Sequence, residues 1–365
     1  MHVMQVAGAE VLVRQIIETM GNRLEPTIFC LDAVGTIGEE LQEKGVPVIA
    51  LDRKPGIDWQ LLIRLGSEIA KRQIQVLHAH QYTPFFYSAL AKLRSFSSTK
   101  ILFTEHGRHY PDIVSPKRRW FNKLLLRRLA AGSTACCDFS TEAVRQIEGF
   151  PQTVTLRNGV DLTNLPARGT SEQQQALREA LVLDLNRKYV ACIARFHPVK
   201  DHPTLIRAWK HVSEQMPDAR LLLVGDGEER QNCERLAADL GISEHIEFWG
   251  IRKDVADILR AVDGFALSSI SEAASLTLLE AMASECPVVL TDVGGNAEHA
   301  THGEHGYLVP RGDHVAMGAA IVDLLEDPTR GKEMGTAARK RVVENFDLKQ
   351  IIEAYSNTYT QLAAY

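Results

Sequence analysis

The densest group of chemically active residues contains two carboxylates, Glu272 and Glu280, in a segment that follows an apolar run and leads into an apolar helical pattern. If the helix begins near Ser275, Glu272 lies in the loop before it and Glu280 on its second turn. Their spacing places them about 80° apart around an ideal helix and about 12 Å apart along it, so they do not share one proton or metal ion. Free N–H groups near Leu276 and Thr277 predict an anion site. The alternative is a helix-start acid and an ordinary surface charge.

Two basic residues follow an earlier predicted strand. Arg195 and Lys200 flank a tight turn that leads into a helical pattern. Cations that converge where a strand ends can hold a phosphate-bearing ligand. The alternative is a pair of exposed charges, with Lys200 paired to Asp201.

Two glycine loops also follow predicted strands. Gly225 and Gly227 imitate a dinucleotide-binding loop, but Arg230 stands where the third glycine belongs, which favours a structural turn. Gly294 and Gly295 form a loop in which backbone can approach a ligand closely, or only a turn.

Three histidines are candidates for a polar site. His106 lies in the segment 104–109 after a predicted strand, where it can contact a sugar or phosphate or be a structural histidine. His78 and His80 fall on one face of a strand and could ligate a metal, although no third ligand is identifiable nearby.

The segment 117–128 mixes cations with Trp120, Phe121 and leucines at helical spacing. Such a helix could rest on an anionic membrane surface near a lipid-linked acceptor. Alternatively, it buries its leucines and leaves its charges in solvent.

Composition excludes several classes of protein. The chain has 365 residues, 45% hydrophobic and 24% charged, which indicates a globular protein of about two domains. A net charge of −5 does not favour nucleic-acid binding. Six scattered cysteines, no long apolar run and no signal-peptide pattern predict a cytoplasmic location. The sequence also has no P-loop and no G-x-S-x-G motif.

Apolar runs alternate with helical patterns along the chain, which predicts an α/β fold with two parallel sheets. The polar stretch 163–175 is interpreted as a linker, giving an N-terminal domain 1–165 and a C-terminal domain 166–347, with the last helix, 348–365, packing back on the first. Ligands are expected at the carboxyl ends of the strands, in a common crevice. The predicted strands cover residues 26–31, 46–51, 76–79, 101–104, 133–136, 153–156, 189–194, 221–224, 246–248, 265–267, 288–290 and 307–309.

Taken together, these motifs resemble glycosyltransferase family 4, the retaining enzymes of GT-B architecture, which have two Rossmann-like lobes facing a central cleft. The matching segments occur in the family's order and include the two glutamates separated by seven residues; the others are 7–10, 78–80, 105–107, 158–161, 194–195, 200–202, 224–227, 248–250, 287 and 294–295.

The resemblance implies a role for each candidate residue. Arg195 and Lys200 would hold the donor diphosphate with the N–H groups of Leu276 and Thr277, Glu280 would accept the ribose hydroxyls, and Glu272 would contact the transferred sugar. His106 would lie near that sugar, Gly8 would approach a phosphate, and Gly250 and Ile251 would border the base. Fixed cations and a helix N-terminus can stabilise the departing nucleotide, so neither a metal nor a cofactor is expected.

The chain departs from the family pattern at its start. The family places a strand before its glycine loop, whereas here the loop arrives at Ala7 and Gly8, so the first strand is expected to be missing. The hypothesis is that Met1 is not the true start, or that the sequence is a truncated fragment.

The expected function is transfer of sugar from a UDP- or GDP-linked donor to a glycan or lipid-linked acceptor, in cell-surface polysaccharide or glycolipid synthesis. The enzyme would be cytoplasmic, with peripheral contact at the inner face of the membrane as a further option. The alternatives are a nucleotide-sugar epimerase or phosphorylase of the same fold, and a catalytically inactive binding protein.

Overall fold

The structure is a computed structural model that describes residues 1–5, 7–95, 97–107 and 116–364. The contacts between residues divide the chain into two compact units. The first unit contains Met1–Asn158 and Lys349–Tyr365, and the second contains Gly159–Leu348.

The first unit alternates strands and helices. Its strands are β1 (Ile28–Cys30), β2 (Val48–Ala50), β3 (Val76–His80), β4 (Lys100–Glu105), β5 (Ala130–Ala135) and β6 (Val154–Thr155). Its helices are α1 (Gly8–Met20), α2 (Thr36–Glu43), α3 (Trp59–Lys71), α4 (Tyr82–Ser95), α5 (Pro116–Phe121), α6 (Arg127–Leu129), α7 (Asp138–Ala143) and the last helix of the chain, α16 (Leu348–Ala364). A 3₁₀ turn, Gly21–Arg23, and two π-helical segments, Asn122–Leu126 and Val144–Glu148, complete it.

The described strands of the first unit form two separate parallel sheets. One pairs β1 with β2, and the other has the order β3-β4-β5-β6. The buried apolar side chains also fall into two clusters, one around Phe85 and Phe103 and one around Met4 and Ile37. Strands β1 and β3 are therefore both end strands.

The described residues before α1 form an isolated bridge rather than a strand. Residues 1–4 are extended beside the chain that follows β1, where Val3 forms a parallel bridge with Ala33. The Leu31 N–H donates to the Met1 carbonyl at 3.0 Å, and the Met4 N–H donates to the Val34 carbonyl at 3.0 Å. A short paired segment thus precedes the helix.

The second unit has strands β7 (Lys188–Ile193), β8 (Ala219–Val224), β9 (Ile246–Gly250), β10 (Gly264–Leu267), β11 (Val288–Thr291) and β12 (Gly306–Val309). Its helices are α8 (Ser171–Ala180), α9 (His202–Gln215), α10 (Arg230–Asp239), α11 (Val255–Ala261), α12 (Leu276–Ala283), α13 (Asn296–His299), α14 (His314–Glu326) and α15 (Pro328–Asn345), with 3₁₀ turns at Pro198–Lys200 and Ser243–His245. The parallel sheet has the order β12-β11-β10-β7-β8-β9.

Burial explains why the apolar runs become strands. Every residue of β8, β10 and β11 is buried, as expected for a parallel sheet covered on both faces. Helix α9 packs a stripe that includes Leu205, Trp209 and Val212 against this sheet's core. Each strand that the sequence predicted is present, with shifts at its ends.

The stretch interpreted as a linker is partly helical, which is a correction. Helix α8 begins at Ser171, and Thr170 and Gln173 form a reciprocal capping box at its start. The second unit also begins before the expected boundary, because the Val160 N–H donates to the Phe346 carbonyl at 2.9 Å. Leu165 is buried in the same core.

Candidate active site

The order of strands in the second unit locates a switch point in the sheet. From β7 the chain adds β8 and β9 on one side, then crosses to add β10 on the other side of β7. Ligands of open α/β sheets bind beyond the carboxyl ends of the strands at such a point. The segments that follow β7 and β10 carry Arg195, Lys200 and Glu272, and α12 begins beyond Glu272.

Lys200 and Glu272 form an ion pair at this point. The Lys200 Nζ lies 2.5 Å from Glu272 Oε1, and the same oxygen accepts a hydrogen bond from Ser269 Oγ at 2.6 Å. Ser268 stabilises the backbone at Lys200, because its hydroxyl lies within hydrogen-bond distance of two carbonyls, that of Lys200 at 3.1 Å and that of Asp201 at 2.8 Å. The geometry therefore fixes a cation and a carboxylate side by side.

Asp201 is not the partner of Lys200, contrary to the alternative considered for the sequence. Its carboxylate caps α9, because it accepts hydrogen bonds from the Thr204 hydroxyl at 2.7 Å and the Thr204 N–H at 3.4 Å. Asp201 also has a left-handed backbone, with φ of 46°. The turn thus directs Lys200 toward Glu272 and Asp201 toward the helix.

The double glycine after β11 supports the Glu272 loop. The Gly295 N–H donates to the Glu272 carbonyl at 2.9 Å. A Cβ on Gly294, where φ is +50°, would lie 1.9 Å from that carbonyl oxygen. Only glycine allows this approach, so the close contact serves to position Glu272.

Helix α12 presents free backbone donors. The Ser275 hydroxyl accepts a hydrogen bond from the Leu278 N–H at 3.3 Å, which leaves the N–H groups of Leu276 and Thr277 without a partner within the helix. Glu280 lies on the second turn and is partly buried. Burial raises the pKa of its carboxyl to about 7, and in the described part of the chain this carboxyl has no hydrogen-bond partner.

Arg195 follows β7 and is exposed. Within the described residues it has no carboxylate within ion-pair distance, so it is available to an anion. Gly250 ends β9 with φ of +64°, and the Ile251 side chain after it is 80% exposed. An exposed isoleucine beside a strand end is a suitable surface for a flat apolar ring.

The glycines after β8 are structural, as the sequence favoured. Gly225 has φ of +137°, and a Cβ there would lie 2.1 Å from the Ala194 carbonyl oxygen. A Cβ on Gly227, where φ is +153°, would lie 2.4 Å from the Phe196 carbonyl oxygen. These glycines let the loops after β7 and β8 pack together.

The first unit contains a cluster of three histidines. His80 Nδ1 lies 2.7 Å from His106 Nε2, and His78 lies 2.7 Å from the Tyr359 hydroxyl and 2.6 Å from the Thr104 hydroxyl. Burial lowers the pKa of His106 to about 4 and also lowers the pKa of His78 and His80. The rings are therefore neutral near pH 7, and they act through hydrogen bonds.

His106 Nδ1 is buried and has no hydrogen-bond partner among the described residues. It is the polar atom of this cluster that can meet a ligand. Among the described residues, no group of three or more His, Cys, Asp or Glu side chains could hold a metal ion, which disfavours the metal alternative for His78 and His80. Arg108 and His109 lie outside the described residues.

The remaining predicted residue, Gly8, is exposed and is the first residue of α1. Gly8 and His106 thus belong to the first unit, whereas Arg195, Lys200, Glu272, Leu276, Thr277, Glu280, Gly250 and Ile251 belong to the second. The sequence analysis missed two contributors. It considered His80 only as a metal ligand and Ser269 not at all, although His80 touches His106 and Ser269 touches Glu272.

The basic segment 117–128 is a helix with a π-helical centre. Arg118 is only partly exposed, because it binds the buried Glu148 and its guanidinium carbon lies 3.5 Å from the centre of the Tyr82 ring. Trp120 is 66% exposed and Leu124 43% exposed, so the apolar residues are not all buried. Other exposed residues of this segment are Lys117, Arg119, Lys123, Arg127 and Arg128. In the described ranges, no helix has the length and apolar character needed to cross a bilayer.

Comparison with known families decides the assignment. The profile of Glycosyltransferase Family 4 matches residues 6–164, and that of Glycosyl transferases group 1 matches residues 173–341. The chain belongs to glycosyltransferase family 4. This family 4 enzyme is therefore a sugar transferase, as the resemblance of its motifs implied.

Individual relatives agree with the assignment. The N-acetyl-alpha-D-glucosaminyl L-malate synthase of Bacillus anthracis is 28% identical over 307 residues, which cover 84% of this chain and 79% of that protein. A GDP-mannose-dependent monoacylated alpha-(1-6)-phosphatidylinositol monomannoside mannosyltransferase of Corynebacterium glutamicum is 26% identical, over 82% of each chain. The crystal structure of Anabaena HepE in complex with UDP has a TM-score of 0.86 at 21% identity, over 99% of this chain and all of that one. The fold is the α/β GT-B type.

Proposed function

We propose that this family 4 glycosyltransferase transfers a sugar, with retention of configuration, from a UDP- or GDP-linked donor to a glycan or lipid-linked acceptor. The relatives support this choice of substrates: one is GDP-mannose-dependent, and the Anabaena neighbour was crystallised with UDP. The proposed pathway is synthesis of a cell-surface polysaccharide or glycolipid, in the cytoplasm.

The observation that carries the proposal is the Lys200–Glu272 pair at the switch point, with α12 beginning close by in sequence. Breaking a sugar–phosphate bond leaves negative charge on the nucleotide. Preorganised cations and backbone N–H groups stabilise such charge where it develops. We assign this role to Arg195, Lys200 and the first N–H groups of α12.

Lys200 and Glu272 are proposed to bind different parts of the nucleotide sugar. A diphosphate attracts Lys200, and the freed carboxylate can then accept hydrogen bonds from sugar hydroxyls while Ser269 continues to hold it. The pair therefore keeps both side chains in place before the donor arrives. Because this scheme uses the protein's own cations, we expect transfer to continue in the presence of a chelator.

The other contacts follow the chemistry of the nucleotide and the sugar. Glu280 is proposed to accept the ribose hydroxyls, and Gly250 and Ile251 are proposed to border the base. Gly8 is proposed to approach a phosphate, and the neutral His106 to hydrogen-bond the transferred sugar. No described residue is assigned as a covalent nucleophile, so retention is proposed to come from attack on the face that the leaving group departs.

The test is a panel of UDP, GDP, ADP and their sugars, with thermal stability as the measurement. A ligand present at 100 times its Kd stabilises by about 2.7 kcal/mol. Lys200→Ala should lose this stabilisation for the selected nucleotide, while Lys210→Ala, on the exposed side of α9, should retain it. Equal stabilisation of both variants would contradict the proposed site. Conversion of the donor alone to an isomer would indicate an epimerase instead.

Peripheral membrane contact through the exposed face of residues 117–128 is a second part of the proposal. Exposed cations around Trp120 suit an anionic lipid surface. Sedimentation with phosphatidylserine vesicles, compared with phosphatidylcholine vesicles, tests it. The variant Lys123→Glu with Arg127→Glu should lose the difference between the two, and binding that is insensitive to this change would contradict the assignment.

A further inference from the structure

Gln81 forms the shortest connection between a strand and the following helix among the described elements. Strand β3 ends at His80 and α4 begins at Tyr82, so Gln81 alone joins them. Its backbone is left-handed, with φ of 72°. This conformation costs free energy for any residue with a Cβ, and such strain is concentrated at functional sites.

The other described residues that combine a side chain with positive φ have an evident structural reason for it. Three of them stand two residues beyond the end of a helix, where a left-handed residue commonly terminates the helix: Gln73, Val182 and Glu285. The remaining two, Asp52 and Asp201, are aspartates, whose short polar side chains tolerate this conformation. Gln81 fits neither explanation.

The turn at Gln81 is fixed by both of its main-chain groups. The Gln81 N–H donates to the Thr104 carbonyl of β4 at 2.7 Å, and the Gln81 carbonyl accepts from the Phe85 N–H of α4 at 3.3 Å. A sharp, strained turn from strand to helix also presents the nucleophile of α/β-hydrolases at the top of their sheet. The same geometry places Gln81 at the carboxyl end of β3, where ligands of parallel sheets bind.

The side chain of Gln81 has unused hydrogen-bonding capacity. It is half-buried, and its carboxamide has no hydrogen-bond partner among the described residues. A carboxamide supplies both a donor group and an acceptor oxygen, and a sugar hydroxyl likewise donates and accepts. Glycine or asparagine would form this turn with less strain, so the longer amide side chain favours a role in binding.

Gln81 and His106 follow neighbouring strands at one edge of the sheet. Strands β3 and β4 are paired in parallel, with His80 opposite Thr104. The residue before Gln81 also touches His106, because His80 Nδ1 lies 2.7 Å from His106 Nε2. His106 Nδ1 is buried without a partner among the described residues. Two uncharged groups with unused hydrogen-bonding atoms therefore follow adjacent strand ends.

We propose that Gln81 and His106 together form a subsite for the hydroxyls of the transferred sugar. The Gln81 amide binds one hydroxyl of that sugar, and His106 binds another. This inference rests on the role proposed above for His106. It adds a residue that makes the enzyme bind a nucleotide sugar in preference to the nucleotide alone, and it gives the strained turn a function.

The experiment measures this preference by calorimetry, without an acceptor, as the Kd of UDP divided by that of UDP-glucose and the Kd of GDP divided by that of GDP-mannose. Gln81→Ala removes the amide and keeps a Cβ at positive φ, whereas Gln81→Gly also relieves the strain. The matched control is Gln73→Gly, since Gln73 is an exposed glutamine with φ of 51°.

Both Gln81 variants should lower the ratio for the pair that the wild type prefers by about three- to tenfold, the effect of one lost hydrogen bond. The Kd of the nucleotide alone should not change, and Gln73→Gly should keep the wild-type ratio. Both glycine variants should unfold at a higher temperature than the wild type, because each relieves a strained backbone. Higher stability together with a lower ratio is the result that a purely structural role for Gln81 would not give.

A ratio that is unchanged in Gln81→Ala, with nucleotide binding intact, would overturn the subsite and leave the proposed function standing. If that variant instead transfers sugar more slowly at an unchanged ratio, Gln81 acts on the acceptor, and the subsite is equally overturned. A wild-type protein that binds none of the four ligands contradicts the proposed function, and the subsite with it.

Discussion

Replacing Glu280 with Gln is expected to stabilise the protein at pH 8 and to weaken its binding of nucleotide sugars. The reason is the burial of a carboxyl with no hydrogen-bond partner among the described residues, which raises its pKa to about 7. A glutamine has nearly the same shape and carries no charge at any pH. The wild type loses free energy of unfolding when this buried carboxyl ionises, and the variant does not.

The magnitude follows from the difference in pKa between the folded and unfolded states. A group whose folded pKa is raised binds its proton more tightly in the native state, so stability is full below the unfolded value of 4.5 and falls as pH rises toward 7. At about 1.4 kcal/mol per pH unit, the loss is at most about 3.5 kcal/mol, and partial exposure of Glu280 reduces it. Glu280→Gln removes this loss.

The assay is denaturant unfolding of both proteins at pH 5, 6, 7 and 8, with the exposed Glu326→Gln as the matched control. The gain in stability of Glu280→Gln over wild type should grow through this range, whereas that of Glu326→Gln should stay flat. Binding of the selected nucleotide sugar should rise with pH in the wild type only, because a ribose hydroxyl donates best to the ionised carboxylate. A gain that is flat or that shrinks with pH would refute the reasoning.

Three further predictions concern other parts of the molecule. Lys200→Ala should lower kcat/KM by about 10²–10³, measured by transfer from the selected donor, with Lys210→Ala unchanged; an unaltered rate would contradict the role of Lys200. Gly294→Ala and Gly312→Ala should both lower the free energy of unfolding by about 1–3 kcal/mol, because both positions have a positive φ that alanine rarely adopts. Gly294→Ala should lower it further, because only there would the new Cβ clash with the Glu272 carbonyl. Burial lowers the pKa of His80, as it does for His78 and His106, so stability should fall as pH drops below about 6.5, and His80→Asn should reduce the steepness of that fall in acid unfolding.

Local pattern was enough to predict the strands and the start of α12. Apolar runs such as 221–224 are buried on both faces in the structure, and helix α12 begins directly after Ser275, as the pattern indicated. These features depend on neighbouring residues, so a single sequence carries them. The capping box of Thr170 and Gln173 was equally visible, but it lay within a polar stretch that was interpreted as a linker.

Contacts between distant residues could not be predicted. Lys200 and Glu272 are 72 residues apart, and they meet because β10 inserts beside β7, an order of strands that spacing does not reveal. His80 and His106 likewise meet because β3 and β4 are neighbours. The paired segment at residues 1–4 was missed because its bonds are to the chain after β1.

The most direct test of the central claim is a crystal structure of the enzyme with the nucleotide sugar that the panel selects. The account predicts diphosphate oxygens within hydrogen-bond distance of Arg195, Lys200 and the N–H groups of Leu276 and Thr277, with Lys200 turned from Glu272. A nucleotide bound elsewhere, with the Lys200–Glu272 pair intact, would contradict it.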